Sequence, residues 1–121
     1  MLTSAIIKVR DTLIVSVQED LGDEDALDLQ AALTQQLERT PVNGVLIDLS
    51  LVHVIDSFLG RTLNDLAVGV RLLGARAVVV GMQPAVAITL VELGLELRRI
   101  QTALTVERGL DLLARSTNHR L

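Results

Sequence analysis

The segment Gly44-Val45-Leu46-Ile47-Asp48-Leu49-Ser50-Leu51-Val52-His53-Val54-Ile55-Asp56-Ser57-Phe58 changes its periodicity partway along. Gly44 to Leu49 is a near-continuous apolar run of strand length, as expected for a strand buried on both faces of a sheet. From about Asp56 the spacing becomes helical. Phe58, Leu59, Leu63, Leu66, Val70 and Leu73 recur at helical intervals, and Gly74 supplies a C-terminal stop. Asp56 and Ser57 are both good helix-capping residues, able to satisfy backbone N–H groups that have no partner in the first turn. If Asp56 takes the cap, Ser57 becomes the first helical residue, its hydroxyl free and facing solvent, where a protein kinase could reach it.

Outward from this junction the same two periodicities alternate. Upstream, Ile6-Ile7-Lys8-Val9 and Leu13-Ile14-Val15-Ser16-Val17 are short and β-branched, and Arg10-Asp11-Thr12 between them reads as the turn of a β-hairpin. From Gly22 the spacing is helical, with Ala26, Leu29, Leu33 and Leu37 on one face and Pro41 as a stop. Downstream, Ala77-Val78-Val79-Val80 is a second buried strand, and Pro84 suits the first turn of a helix that runs to Leu93 before Gly94. A weaker strand near Thr102 to Leu104 precedes a last helix from Val106 to Arg115, and Ser116 to Leu121 reads as a polar C-terminal tail. The order β-β-α-β-α-β-α-β-α predicts an α/β fold: a mixed, mostly parallel sheet with flanking helices and an antiparallel addition from the hairpin. Residues 1–115 are expected to form a single domain, without linker or internal repeat.

Composition narrows the chemistry. Of 121 residues, 50% are apolar and 21% charged, enough for a chain of this size to bury roughly two-thirds of its extended surface. Phe58 is the sole aromatic residue, which removes the stacking platforms used to bind single-stranded nucleic acid. There is no cysteine, so disulfides, thiolate catalysis and Cys-based metal sites drop out, in keeping with a cytoplasmic setting. A net charge of −4 has the wrong sign for a phosphate-backbone binder. No apolar run approaches membrane length, the N-terminus lacks the pattern of a signal peptide, and the whole chain is read as mature. No membrane or nucleic-acid partner is expected.

Catalytic machinery is hard to assemble from what remains. His53 and His119 have no metal-ligand spacing around them, and His53 reads as a locally bonded loop or strand-end residue. Gly69-Val70-Arg71-Leu72-Leu73-Gly74-Ala75-Arg76 has the glycine spacing of a P-loop but lacks the Lys-Ser/Thr pair and closes a helix. A phosphoacceptor receiver domain needs clustered acids and a helper lysine near the strand ends, whereas Lys8 is the sole lysine. No metal, cofactor or enzymatic activity is expected. The helix from Pro84 is unusual because Thr89 and Glu92 are its only clearly polar positions; it is either deeply buried or part of a subunit interface.

Asp48-Leu49-Ser50 followed by Val54-Ile55-Asp56-Ser57-Phe58, then Gly74-Ala75-Arg76-Ala77-Val78-Val79-Val80-Gly81-Met82-Gln83-Pro84-Ala85-Val86-Ala87-Ile88-Thr89-Leu90, closely resembles STAS-domain antagonists of the anti-sigma-factor type. The second run points to their small, single-domain stressosome branch. The resemblance implies the STAS (SpoIIAA-like) fold over essentially the whole chain. It also implies a non-enzymatic scaffold that co-assembles with sensor-bearing STAS paralogues into a large hetero-oligomer and sequesters a serine/threonine switch kinase. Under stress the kinase phosphorylates the serine matching Ser57 and leaves, and a phosphatase resets the site. Asp48, Asp56 and Phe58 form the surroundings of that site, and Thr89 matches a second phosphothreonine of the sensor paralogues. Where familiar antagonists have a small or hydroxyl residue after the phosphorylated serine, this chain has Phe58, a departure that favours the stressosome branch. Two other roles stay open. One is a simple anti-anti-sigma factor that binds an anti-sigma kinase, and the other is a STAS module that binds a small ligand or nucleotide.

Overall fold

The computed structural model describes residues 5–94 and 100–118. Five strands and four helices alternate as β1 (Ala5–Val9), β2 (Thr12–Ser16), α1 (Asp23–Arg39), β3 (Gly44–Asp48), α2 (Ser57–Leu72), β4 (Arg76–Val80), α3 (Pro84–Glu92), β5 (Gln101–Ala103) and α4 (Val106–Asn118). The strands lie in the sheet in sequence order. β1 pairs antiparallel with β2 through Val9↔Thr12 and Ile7↔Ile14, and the remaining pairs are parallel. The element order and mixed sheet expected from the sequence are both present.

Strand alternation divides the interior in two. Leu13, Val15, Val45, Ile47, Ala77 and Val79 point to the face covered by Ala26, Leu29 and Leu33 of α1, Leu59, Leu63, Leu66 and Val70 of α2, and Val86 and Leu90 of α3. Ile14, Leu46, Val78 and Val80 point to the opposite face, where they pack with Leu110 and Leu113 of α4. β3 is the strand on which both cores rest: Val45, Leu46 and Ile47 are each 0% exposed. α4 approaches closely because Gly109 has no side chain. A Cβ there would stand 2.8 Å from both Leu46 Cδ2 and Val80 Cγ1.

Helix ends follow local chemistry. At the end of α2, the Gly74 N–H donates to the Arg71 carbonyl and the Ala75 N–H to the Val70 carbonyl, while Gly74 adopts φ +89°; this is a Schellman closure. Several boundaries differ from the sequence reading. Thr12 belongs to β2 rather than to the turn, β5 sits one residue earlier than expected, and α3 ends at Glu92 with Leu93 as its cap. The larger correction concerns the C-terminus. α4 continues to Asn118, so Ser116 lies in the helix and not in a tail. Ser, Thr and Asn are weak helix formers, but without a Gly or Pro they do not stop the backbone ladder. Residues 119–121, including His119, lie outside the described residues.

Because Leu46 is fully buried beneath α4, Leu46→Ala is expected to destabilise the protein by about 2–5 kcal/mol, measured by urea denaturation monitored by circular dichroism.

Candidate functional site

The C-terminal ends of β2, β3 and β4 meet around the exit of β3. The chain keeps pairing beyond the strands: the Val17 N–H donates to the Asp48 carbonyl (3.1 Å), and the Leu49 N–H donates to the Val80 carbonyl (2.9 Å). Asp48 then turns the chain. Its Oδ1 accepts from the Ser50 N–H at 2.9 Å and from the Ser50 hydroxyl at 2.8 Å, a local turn typical of Asp. Gly81, at φ +72°, makes room for this turn, since a Cβ there would fall 2.9 Å from Asp48 Oδ1 and 3.1 Å from the Ser50 nitrogen. The Gln83 amide donates to the Ser50 carbonyl at 3.3 Å, tying the entry of α3 to the loop before α2.

A second tie comes from a residue that sequence reasoning missed. Glu19 Oε2 accepts from the backbone N–H groups of His53 (2.8 Å) and Val54 (3.1 Å), with the His53 ring 3.9 Å away. Those two N–H groups, His53 first, hold the Glu19 carboxyl below the usual glutamate range; burial opposes them, and the nearby His53 ring adds the smallest lowering. A lowered folded-state pKa means that this contact contributes fully above the ordinary glutamate range and is lost as pH falls through the lowered value. Glu19 sits among ordinary surface acids in the sequence, and nothing nearby marks the contact, which spans more than thirty residues.

Downstream of this loop, Asp56 takes the N-cap of α2. Its backbone is extended and its Oδ1 accepts from the Leu59 N–H at 2.8 Å, the cap that leaves Ser57 as the first helical residue. Burial alternates sharply at this point: Asp56 and Ser57 are exposed, Phe58 is half-buried against the larger core, and Leu59 is buried. Phe58 therefore anchors the first turn while Ser57 is displayed. Asp48, expected near the site, uses Oδ1 as a turn-former. Thr89 is half-buried on α3 and its hydroxyl donates to the Ala85 carbonyl at 3.0 Å.

Clefts elsewhere include one of about 220 Å³ at the starts of β2 and β3, lined by Thr12, Asn43 and Leu113 among others, one of about 380 Å³ along α4 at Arg108, Asp111 and Arg115, one of about 390 Å³ at Arg71, Gly74 and Gln101, and one of about 90 Å³ between α1 and α2. Among the described residues, no group of three His, Cys, Asp or Glu side chains could hold a metal ion, and no helix is long and apolar enough to cross a membrane.

The STAS domain family matches residues 4–109. A solved serine-to-glutamate variant of Moorella thermoacetica RsbS is 36% identical, with a TM-score of 0.84 over 96% of this chain and 98% of that one. A chain from a solved molecular architecture of the stressosome, described as a signal integration and transduction hub, is 38% identical, with a TM-score of 0.85 over 97% of this chain and 100% of that one. In Bacillus subtilis, the RsbT co-antagonist protein RsbRA is 31% identical over 77 residues; the match covers 64% of this chain and 28% of that relative's length.

Asp56→Ala removes the side-chain acceptor for the Leu59 N–H, and is expected to lower stability by about 0.5–2 kcal/mol in chemical denaturation while leaving the fold intact by circular dichroism.

Proposed function

The chain belongs to the STAS domain family, and from that membership and its similarity to RsbS we propose that it is the small scaffold and antagonist of a stressosome, holding a serine/threonine switch kinase until Ser57 is phosphorylated. The observation that carries this reading is the exposed hydroxyl at the first position of α2, held between the capping Asp56 and the half-buried Phe58. The kinase transfers the γ-phosphoryl of ATP to Ser57 Oγ; ADP leaves, and the hydroxyl proton passes to the kinase. A phosphatase later hydrolyses the ester. The chain supplies the acceptor and the binding surface, and its partners supply the catalysis, in the cytoplasm. Residues 1–115 act as one domain in this reading, with α4 continuing to Asn118.

Phosphorylation adds about −1.5 to −2 charges at a helix N-terminus. The helix dipole favours that anion by roughly 0.3–1 kcal/mol, while the neighbouring Asp56 carboxylate opposes it by about 1–3 kcal/mol for each unit of charge at the separation of adjacent residues. The repulsion is the larger of the two, but both act at an exposed first turn where solvent and salt screen them and the phosphate can turn outward, so the fold persists in this reading. The larger penalty falls on a partner that covers Ser57, because a phosphate cannot be buried without cationic or hydrogen-bonding groups arranged to receive it. The switch therefore acts on an interface.

Assembly uses a different surface. α3 buries Val86 and Leu90 in the core and leaves Ile88 and Val91 61% and 80% exposed, together with Leu93 just beyond its end. These residues form an apolar ridge suited to another STAS domain, either a second copy or a sensor-bearing paralogue. RsbRA and RsbRB of Bacillus subtilis, both named RsbT co-antagonists, are the kind of paralogue expected.

Incubation with the RsbT-type kinase of the same genome and Mg-ATP should place phosphate on Ser57, and not on Thr89, by mass spectrometry; modification elsewhere overturns the assignment. Ser57→Ala should keep kinase binding but resist release, read by pull-down with and without ATP. Ile88→Glu should abolish co-assembly in size-exclusion chromatography while melting within a few degrees of the parent; intact assembly with a melted domain would assign α3 to the core alone.

A further inference from the structure

Glu19 is exposed, yet one of its oxygens accepts two backbone N–H groups from the loop that leads into α2. Both sides of this contact are anchored. Glu19 lies between buried Val17, whose N–H is bonded to the Asp48 carbonyl, and buried Leu21. His53 and Val54 lie between buried Val52 and buried Ile55. The carboxylate therefore bridges two segments already fixed by the core, and the only freedom it removes is that of the exposed turn between them. Water could satisfy those two N–H groups on an exposed loop, so hydrogen-bond satisfaction alone does not require the bridge. What it specifies is one conformation of the turn.

That turn carries the N-terminal flank of Ser57. Val54 projects from it 73% exposed, and Leu51 stands 55% exposed just before Val52, apolar side chains that the folded core leaves unused. Because α2 holds Ser57 in a helical first turn, a partner that acts there meets a folded surface and must recognise the flank in the shape the loop presents.

We propose that Glu19 is a positioning residue for the modification of Ser57, its carboxylate clamping His53 and Val54 so that the flank is held in the conformation the kinase docks against. The proposal rests on Ser57 being the phosphorylated residue. Glu19 takes no part in the exchange of bonds between ATP and the Ser57 hydroxyl. Its loss therefore lowers the fraction of the chain in the docking-competent conformation and acts on apparent affinity.

The test is steady-state phosphorylation of Ser57 by the RsbT-type kinase of the same genome with Mg-ATP, using the full chain, alongside thermal melting and amide hydrogen exchange at His53 and Val54. Glu19→Ala should raise KM about tenfold, leave kcat within about twofold, and speed exchange at the two amides. Glu19→Asp retains the charge but loses a methylene of reach and should behave like Glu19→Ala. Glu19→Gln keeps a carbonyl oxygen at full reach and should restore most of the affinity. Unchanged or lowered KM in Glu19→Ala, with exchange accelerated, overturns the positioning role, and unaccelerated exchange overturns the clamp itself. A parent chain that gains no phosphate on Ser57 removes both the functional reading and this proposal; a parent modified at Ser57 whose variants keep its KM removes this proposal alone.

Discussion

The exit of β3 from the sheet is the constraint on which the rest of the Ser57 surface depends. A strand buried on both faces has no freedom until it clears its neighbours, and here Val17 and Leu49 extend the backbone pairing past the last strand residues. The Asp48 carboxylate then folds the chain over at Ser50, which is possible because Gly81, just past the end of β4, leaves that space empty. The loop that follows is fixed at three points, by Gln83, by Glu19 and by the Asp56 cap. Ser57 is consequently an exposed residue that follows a loop bonded at three points. Each of these bonds is ordinary in strength, about 0.5–1.5 kcal/mol net for a neutral pair and more for a charged acceptor, and their combined effect is to specify geometry.

The same logic explains how so apolar a chain divides its hydrophobic residues. Alternation along β2, β3 and β4 commits successive residues to opposite faces, one served by three helices and the other by α4. α3 is short and contributes only Val86 and Leu90 to the core, so its outer residues Ile88 and Val91 are not explained by folding. Of the two readings that its composition left open, deep burial holds for one side of the helix only, and the interface reading is proposed for the other side. Similarity to RsbS and to a chain of a solved stressosome gives that outer face a context in which a partner is expected.

Much of this was legible before any coordinates. The apolar run from Gly44, the stop at Gly74 and the start at Pro84 all depend on residues one to four positions apart and agree with the structure to within a residue, while the cap of α2, left open between Asp56 and Ser57, falls to Asp56. Less legible were features where the local signal is weak. The three-residue β5 was displaced by one position, and α4 ran three residues past Arg115 because nothing in Ser116-Thr117-Asn118 forbids a helix. Asp48 was expected among the surroundings of the Ser57 site, and its part as a turn-former emerged only when Ser50 and Gly81 were seen beside it.

By itself the sequence determined the element order, the mixed sheet and a helix start at Asp56 or Ser57, since local backbone chemistry and hydrophobic spacing are written in neighbouring residues; that Asp56 caps and Ser57 is exposed came with the structure. The tertiary structure decided which helices share a face, which residues of α3 remain outside, and that Glu19 holds the backbone at His53 and Val54. Those contacts join segments brought together only when the parallel strands align, and a carboxylate bonded to backbone N–H groups imposes no requirement on the side chains at the other end. Nothing at His53 or Val54 in the sequence therefore points back to Glu19.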